Sequence, residues 1–376
     1  MKISIIGSGF AALAAIQQLR LLDPGRSLQI ELIAPKPIFT YYPSLIWMPS
    51  GLRKRPDLEI PLQHFLDRLG IDFFHGEVTA LEEGGRTVVT KQGHRTNDAL
   101  LIASGGRYLG ALPGINHTIN PCSSITATER FRDALATMTT GRIAFGFAGN
   151  PQEPTAVRGG PMFEFLFGLH TQLQREKRRN RFQLSFFCPM AEPGQRLGPK
   201  AVTGLLAAMA KRDIKTHLGK KILGFEAKRI RTEGGDIPTD LTLFLPGMTG
   251  HPWYQKSGLP LSPGGFLQAD AQCRVLKSNR VYVAGDAGSF PGPDWRAKQG
   301  HMAELQAKTA ATNLFHELHG RTVSNTFRTE LICIVDTLNT GILISRFPAF
   351  NLILPPLGSM HWIKRLLEFK SLYPYR

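Results

Sequence analysis

The feature that most limits how this chain folds is its opening, MKISIIGSGFAALAA. Ile3, Ile5 and Ile6 make a short β-branched run. Gly7-Ser8-Gly9 interrupts it, and Ala11 to Leu22 reads as a helix. Strand, glycine turn and helix in this order are a dinucleotide-binding unit, with Ala12 in the third glycine's place. Gly7 permits the tight turn, and Gly9 lets a pyrophosphate reach the backbone. The helix start at Phe10, Ala11 and Ala12 offers free N–H groups and partial positive charge.

A second motif lies near the other end, RVYVAGDAG. A β-branched strand ends in Gly285-Asp286, which places a carboxylate where it can accept hydrogen bonds from the ribityl hydroxyls of a flavin. The two motifs together specify FAD far better than either alone. Between them, Asp98 to Ile102 reads as a buried strand followed by Ala103, Ser104 and Gly105, small enough to leave room for a cofactor. Lys298, near the start of a helix predicted over Ala297 to His316, is placed to stabilise negative charge on a reduced flavin. The second strand, Leu28 to Ile33, ends in Ala34-Pro35-Lys36 instead of the acid common there, so Pro35 and Lys36 are left to meet a phosphate or ribose edge. Phe39 to Pro49, FTYYPSLIWMP with Pro43 in it, reads as a rigid apolar wall for a flat ring system. Leu58 to Leu69 reads as one amphipathic helix with Pro61 in its first turn. Val78, in the strand predicted over Glu77 to Leu81, is assigned to the cofactor site.

Arg142 to Ala148 begins a second βα unit, but the following segment, GFAGNPQEPTAVRGGPMFEF, spreads its glycines across a Pro-rich insertion. Such a turn is predicted to bind NAD(P) poorly.

With 376 residues, 42% of them apolar, the chain can bury a large core and form two domains or more. A formal charge of +16 points to an anionic partner. The strongest basic run, REKRRNR from Arg175 to Arg181, reads as a solvated helix end, and no nucleic-acid module accompanies it. The four cysteines, Cys122, Cys188, Cys273 and Cys333, have no metal-site spacing, so no metal is expected. The first core strand leaves no room for a signal peptide, and no run of about 18 apolar residues predicts a membrane span. These features predict a protein of the cytoplasm or of the cytoplasmic face of the membrane. At the end of the chain, Ser359 to Tyr373 is amphipathic. Trp362, Ile363, Leu366, Leu367, Phe369 and Tyr373 share one face; His361, Lys364, Arg365 and Glu368 share the other. Trp and Tyr flanked by Lys and Arg suit a helix lying in a headgroup layer. Docking on the chain's own core, or a contact between two copies of the chain, are the alternatives.

These motifs, in this order, resemble the sulfide:quinone oxidoreductase and flavocytochrome c sulfide dehydrogenase group, within the superfamily that includes type II NADH dehydrogenases. Further segments carry the likeness: YYPSLIW, IPLQHFLDRLGIDFF, NPCSSITATER, GGPMFEF, LSPGGFLQAD and LICIVD. The resemblance implies an α/β fold of two tandem Rossmann-like domains, of the FAD and NAD(P) types, as in flavoprotein disulfide reductases. It places the FAD domain at 1–110 and 246–318, the second domain at 111–245, and a membrane-interface segment at 319–376. It also implies a small-molecule electron donor and a membrane quinone as acceptor, with Phe347 and Phe350 as ring-stacking partners for the quinone. Cys333 falls where the family's C-terminal redox cysteine belongs, and Cys122 where an accessory one belongs. The central cysteine is missing: Val157, Arg158 and Gly159 stand in its place. Arg158 and Lys298 are then the expected cations for the Cys333 thiolate. The other readings are a relative that has lost sulfide chemistry and takes electrons from NAD(P)H, and an electron-transfer partner with no substrate of its own.

Overall fold

The strands that carry the two motifs lie side by side, which is what brings the ends of the chain together. The structure, a computed structural model, describes residues 1–376. The chain begins with β1 (Lys2–Ile6), α1 (Phe10–Leu22), β2 (Gln29–Ala34), β3 (Asp72–His75) and β4 (Ala99–Ile102). It then leaves to build β5 (Gly141–Phe147), α2 (Gly160–Arg175), β6 (Phe182–Cys188), β7 (Ile214–Leu218) and β8 (Leu241–Leu245). It returns with β9 (Val281–Val283) and α3 (Gly300–Leu318), and closes with β10 (Leu331–Asp336), β11 (Gly341–Arg346), β12 (Asn351–Ile353) and α4 (Gly358–Leu372).

The first sheet has the order β9-β4-β1-β2-β3 and is parallel throughout. The second, β7-β6-β5-β8, is also parallel. Strands buried on both faces need continuous apolar runs, and Ile3, Ile5 and Ile6 are almost wholly buried. Helices α1 and α3 cross over the first sheet through alanines, Ala11, Ala14 and Ala15 on one and Ala303, Ala307 and Ala310 on the other, so their backbones approach closely. Strands β10, β11 and β12 form an antiparallel sheet against α2 and α4.

Two expectations change here. Leu58 to Leu69 is not one helix. Glu59–Pro61 pairs as a strand with Ile38–Thr40, and the helix begins only at Gln63. Pro61 therefore ends a strand. The aromatic segment after Phe39 is also not simply a wall for a ring system. Tyr42–Trp47 is a 3-10 turn whose Leu45, Ile46 and Trp47 are buried in the core shared by α2 and β10.

Candidate functional site

The glycine turn is shaped by three strand ends. Gly7 has φ +112°, its N–H donates to Ile33 O at 2.9 Å, and a Cβ there would lie 2.4 Å from Ala103 O. No side chain fits at that position. Gly9 differs: a Cβ there would meet nothing within 4 Å, so the turn is open on the side a phosphate would approach. Gly9 is also the N-cap of α1, and no side chain caps that helix. Phe10 packs on Phe39, with ring centroids 5.0 Å apart, and against Gly300.

Ala103, Ser104 and Gly105 follow β4 directly beside this turn. They are pinned by two residues that sequence reasoning missed: the Tyr254 hydroxyl, 2.8 Å from Ser104 Oγ and donating to Gly105 O at 2.9 Å, and His251 Nε2, 3.0 Å from Ser104 O. The segment HPWYQ carries no motif that marks this role. Lys36 and Pro35 stand exposed at the end of β2, Pro43 is exposed at the start of its turn, and Val78 is half-buried against the first core.

Gly285 ends β9 with φ +72°, and its Cβ would sit 3.1 Å from Ala303 and 3.3 Å from Ala11, in the crossing of the two helices. Its N–H donates to Gln306 Oε1 at 3.0 Å. The Asp286 carboxylate is ion-paired with Arg158. Lys298 lies two residues before α3 and donates to the carbonyls of Asp286 (3.1 Å) and Gly288 (2.8 Å), 3.7 Å above the Phe266 ring. Burial pushes its ammonium down to about 8, against the pull of Asp286. Beside these groups opens a cleft lined by Gly285, Asp286, Arg296, Lys298 and Gln306 among others. An open glycine turn, an uncapped helix start and a cleft at the Gly-Asp strand end fit FAD.

The thiols divide into two pairs. Cys188 and Cys273 are buried inside the two cores. Cys122 lies by Arg158, and burial pushes its thiol up to about 12 while the guanidinium draws it back. Cys333, half-buried on β10, meets the first turn of α2: a Cβ on Gly160 would be 3.8 Å from its Sγ. Burial pushes this thiol up to about 12 as well, and the nearby Glu164 carboxylate adds to the rise. The cations that oppose the shift are Lys364 and Arg196. This corrects the expectation for Arg158 and Lys298. Arg158 faces Asp286, Tyr108 and Cys122, and Lys298 faces main-chain carbonyls. Arg196 comes from a loop with no motif, so nothing in the sequence announced it.

Helix α4 docks with its polar face inward. Lys364 pairs with Glu164, His361 Nδ1 lies 2.7 Å from Asp336, and Glu368 holds Arg53. Asp336 also accepts from Trp47 Nε1 at 3.1 Å, and its own N–H donates to Glu164 at 2.8 Å. Burial pushes the Glu164 carboxyl up, against Lys364. The apolar face stays outside: Trp362, Leu366, Phe369 and Tyr373 are all well exposed. Phe347 and Phe350 stack at 4.7 Å on the neighbouring hairpin. No helix is long and apolar enough to cross a membrane.

No family model matches the chain. Among curated proteins it is similar to the sulfide-quinone reductase of Aquifex aeolicus, 25% identical over 357 residues, covering 88% of this chain and 80% of that protein. It is also similar to an NADH dehydrogenase-like protein of Mycobacterium tuberculosis, 23% identical over 77% of this chain and 73% of the relative. Among solved structures, the sulfide:quinone oxidoreductase of Aquifex aeolicus superposes with a TM-score of 0.89 at 20% identity, over 100% of this chain and 91% of the other. An NAD-dependent persulfide reductase from A. fulgidus follows the same fold, with a TM-score of 0.69 at 16% identity over 92% and 64%. The fold is thus that of the flavoprotein disulfide reductases and sulfide:quinone oxidoreductases.

Proposed function

We propose that this chain, an FAD-dependent oxidoreductase homologous to sulfide-quinone reductase, takes electrons from a small sulfur donor beside Cys333 and passes them to a membrane quinone. The observation that carries this reading is the meeting of Cys333 with the first turn of α2, next to the cleft at Asp286. The turn at Gly7 and Gly9 and the carboxylate of Asp286 would hold the cofactor, which supplies two-electron acceptor chemistry when bound. Lys298, an ammonium fixed by two carbonyls, would balance negative charge at that site. Cys333 is the nucleophile of the reading. An apolar site raises a thiol, and Arg196, Lys364 and the helix start oppose that rise. The outward apolar face of α4 supports peripheral contact with a bilayer, where quinones dissolve. Phe347 and Phe350, stacked on the hairpin that precedes α4, are the proposed ring contacts.

The test is anaerobic titration of the purified flavoprotein. Sulfide should bleach the flavin, NADH should not, and Cys333→Ser should abolish the sulfide reaction while flavin stays bound. Reduction at the parental rate in Cys333→Ser removes the cysteine from the chemistry. The membrane part is tested by Trp362→Ser with Phe369→Ser, which should release the protein from anionic liposomes; unchanged binding rejects the interfacial role.

A further inference from the structure

Residues 104–106 lie between the two motifs of the cofactor site. A Cβ on Gly7 would stand 2.9 Å from Ser104 Cα, and one on Gly106 would stand 3.3 Å from Asp286 O. The N–H groups of Ser104, Gly105 and Gly106 have no hydrogen-bond partner in the chain. Those of Ala103 and Leu109, on either side, are both bonded, at 2.8 Å each.

The carbonyls of the same turn are committed. A carbonyl oxygen only accepts, so the proton directions are fixed. His251 Nε2–H donates to Ser104 O at 3.0 Å, and the Tyr254 hydroxyl donates to Gly105 O at 2.9 Å. The Ser104 hydroxyl, 2.8 Å from the Tyr254 oxygen, must then donate to it. Burial pushes the Tyr254 phenol up, which keeps it protonated for its bond to Gly105.

A planar trans peptide points its C=O and its N–H in opposite directions. Holding Ser104 O on His251 therefore turns the Gly105 N–H to the far side. Holding Gly105 O on Tyr254 does the same for the Gly106 N–H. The glycines do not fix this orientation themselves: Gly105 has φ +72°, and a Cβ there would meet nothing within 4 Å. Tyr254, by contrast, is fixed. It is buried, its ring lies 4.5 Å from that of Trp253, and a Cβ on Gly250 would come within 2.5 Å of it.

We infer that Tyr254, assisted by His251, is a positioning residue of the cofactor site. By holding two carbonyls it aims the successive N–H groups of Gly105 and Gly106 at oxygen atoms of FAD. This role serves the cofactor and is independent of the donor.

The experiment uses the flavin-loaded full chain. Free FAD fluoresces more than bound FAD, so a dilution series of the holoprotein gives its dissociation constant. Tyr254→Phe should raise that constant about tenfold. His251→Leu should raise it by a similar factor, and His251→Gln, which keeps a donor near the Nε2 position, should largely restore it. Hydrogen–deuterium exchange of the holoproteins separates positioning from loss of stability. Exchange in a peptide covering 103–108 should be faster in Tyr254→Phe than in the parent, with exchange in β1 unchanged. A parental dissociation constant in Tyr254→Phe overturns the inference, as does an equal acceleration in β1. If Tyr254→Phe does not fold, the histidine pair decides: equal constants in His251→Gln and His251→Leu overturn it.

Discussion

The molecule contains the same local unit twice, a parallel strand feeding a helix through glycines, and the two copies have become different objects. After β1 the connection is three residues long, and Gly9 faces open space. After β5 it runs through residues 148–159, and Gly159 at its end is closed off by the protein itself. A Cβ on Gly159 would lie 2.5 Å from the Phe147 ring, and Gly247 packs its backbone against Gly149. Asn150 fastens this loop to Met248 O and Gly264 O. The first turn leaves room for a ligand. The second uses its glycines for close packing, and its product is the placement of Arg158 and of the first turn of α2. Glycine count alone therefore does not identify a dinucleotide site; the first turn is set apart by Gly9, whose missing Cβ faces open space.

The comparison can be broken most decisively at the cofactor. Gly9→Val should purify without flavin, read from the ratio of visible to ultraviolet absorbance, whereas Gly149→Ala, with its nearest neighbour 3.7 Å away, should keep full flavin. Equal flavin content would erase the distinction. The next test concerns the second unit's ligand: NADPH should neither bind tightly nor bleach the flavin. Rapid bleaching would make the second turn a nucleotide site after all. A smaller effect is expected from Gly159→Ala. The added methyl overpacks the Phe147 ring and should cost about 1–3 kcal/mol in denaturant unfolding, with flavin retained. Loss of flavin without loss of stability would show that the second turn touches the cofactor directly.

The last test is a pH dependence confined to the second unit. His170 on α2 is buried, with Nδ1 unpaired, and burial with Arg179 and Arg212 nearby pushes its imidazole down to about 4. Its folded pKa lies below the unfolded value near 6.5, so the unfolded chain binds the extra proton. The stability tied to neutral His170 is complete above about pH 6.5 and is lost as the pH falls toward 4, by up to about 3 kcal/mol. His170→Gln should flatten unfolding midpoints between pH 6.5 and 4. An unchanged slope would assign the acid sensitivity to other groups.

Much of this was legible in the sequence because short-range rules governed it. The turn at Gly7 and Gly9 and the strand ending at Gly285-Asp286 follow from local pattern. What was not legible depended on partners far away in sequence. The periodicity of α4 assigned its residues to two faces correctly, yet it could not say which face lies inside. The answer comes from Glu164, Asp336 and Arg53, three charged groups on other elements that need the polar side. Tyr42–Trp47 advertised aromatic density without direction, and its tryptophan went to the second core, where Asp336 takes its N–H. Pro61 sits in a strand because Ile38–Thr40 supplies ladder partners that a helical reading ignores. One of the two cations that act on Cys333 was missed for the same reason: Arg196 lies in an unremarkable loop.

The inward charge of α4 has a practical consequence. Surface helices of enzymes that visit membranes are tempting to trim for solubility. Here the trimmed chain would leave Glu164 without its lysine and Asp336 without its histidine, beneath a thiol that feels both Glu164 and Lys364. A buried ion pair broken on one side costs about 3–5 kcal/mol. A shortened protein would therefore lose the ion pairs that surround Cys333 together with its exposed apolar face, and the two losses could be mistaken for one. The oily outer surface can be rewritten residue by residue; the polar face beneath it carries the buried ion pairs that lie next to Cys333.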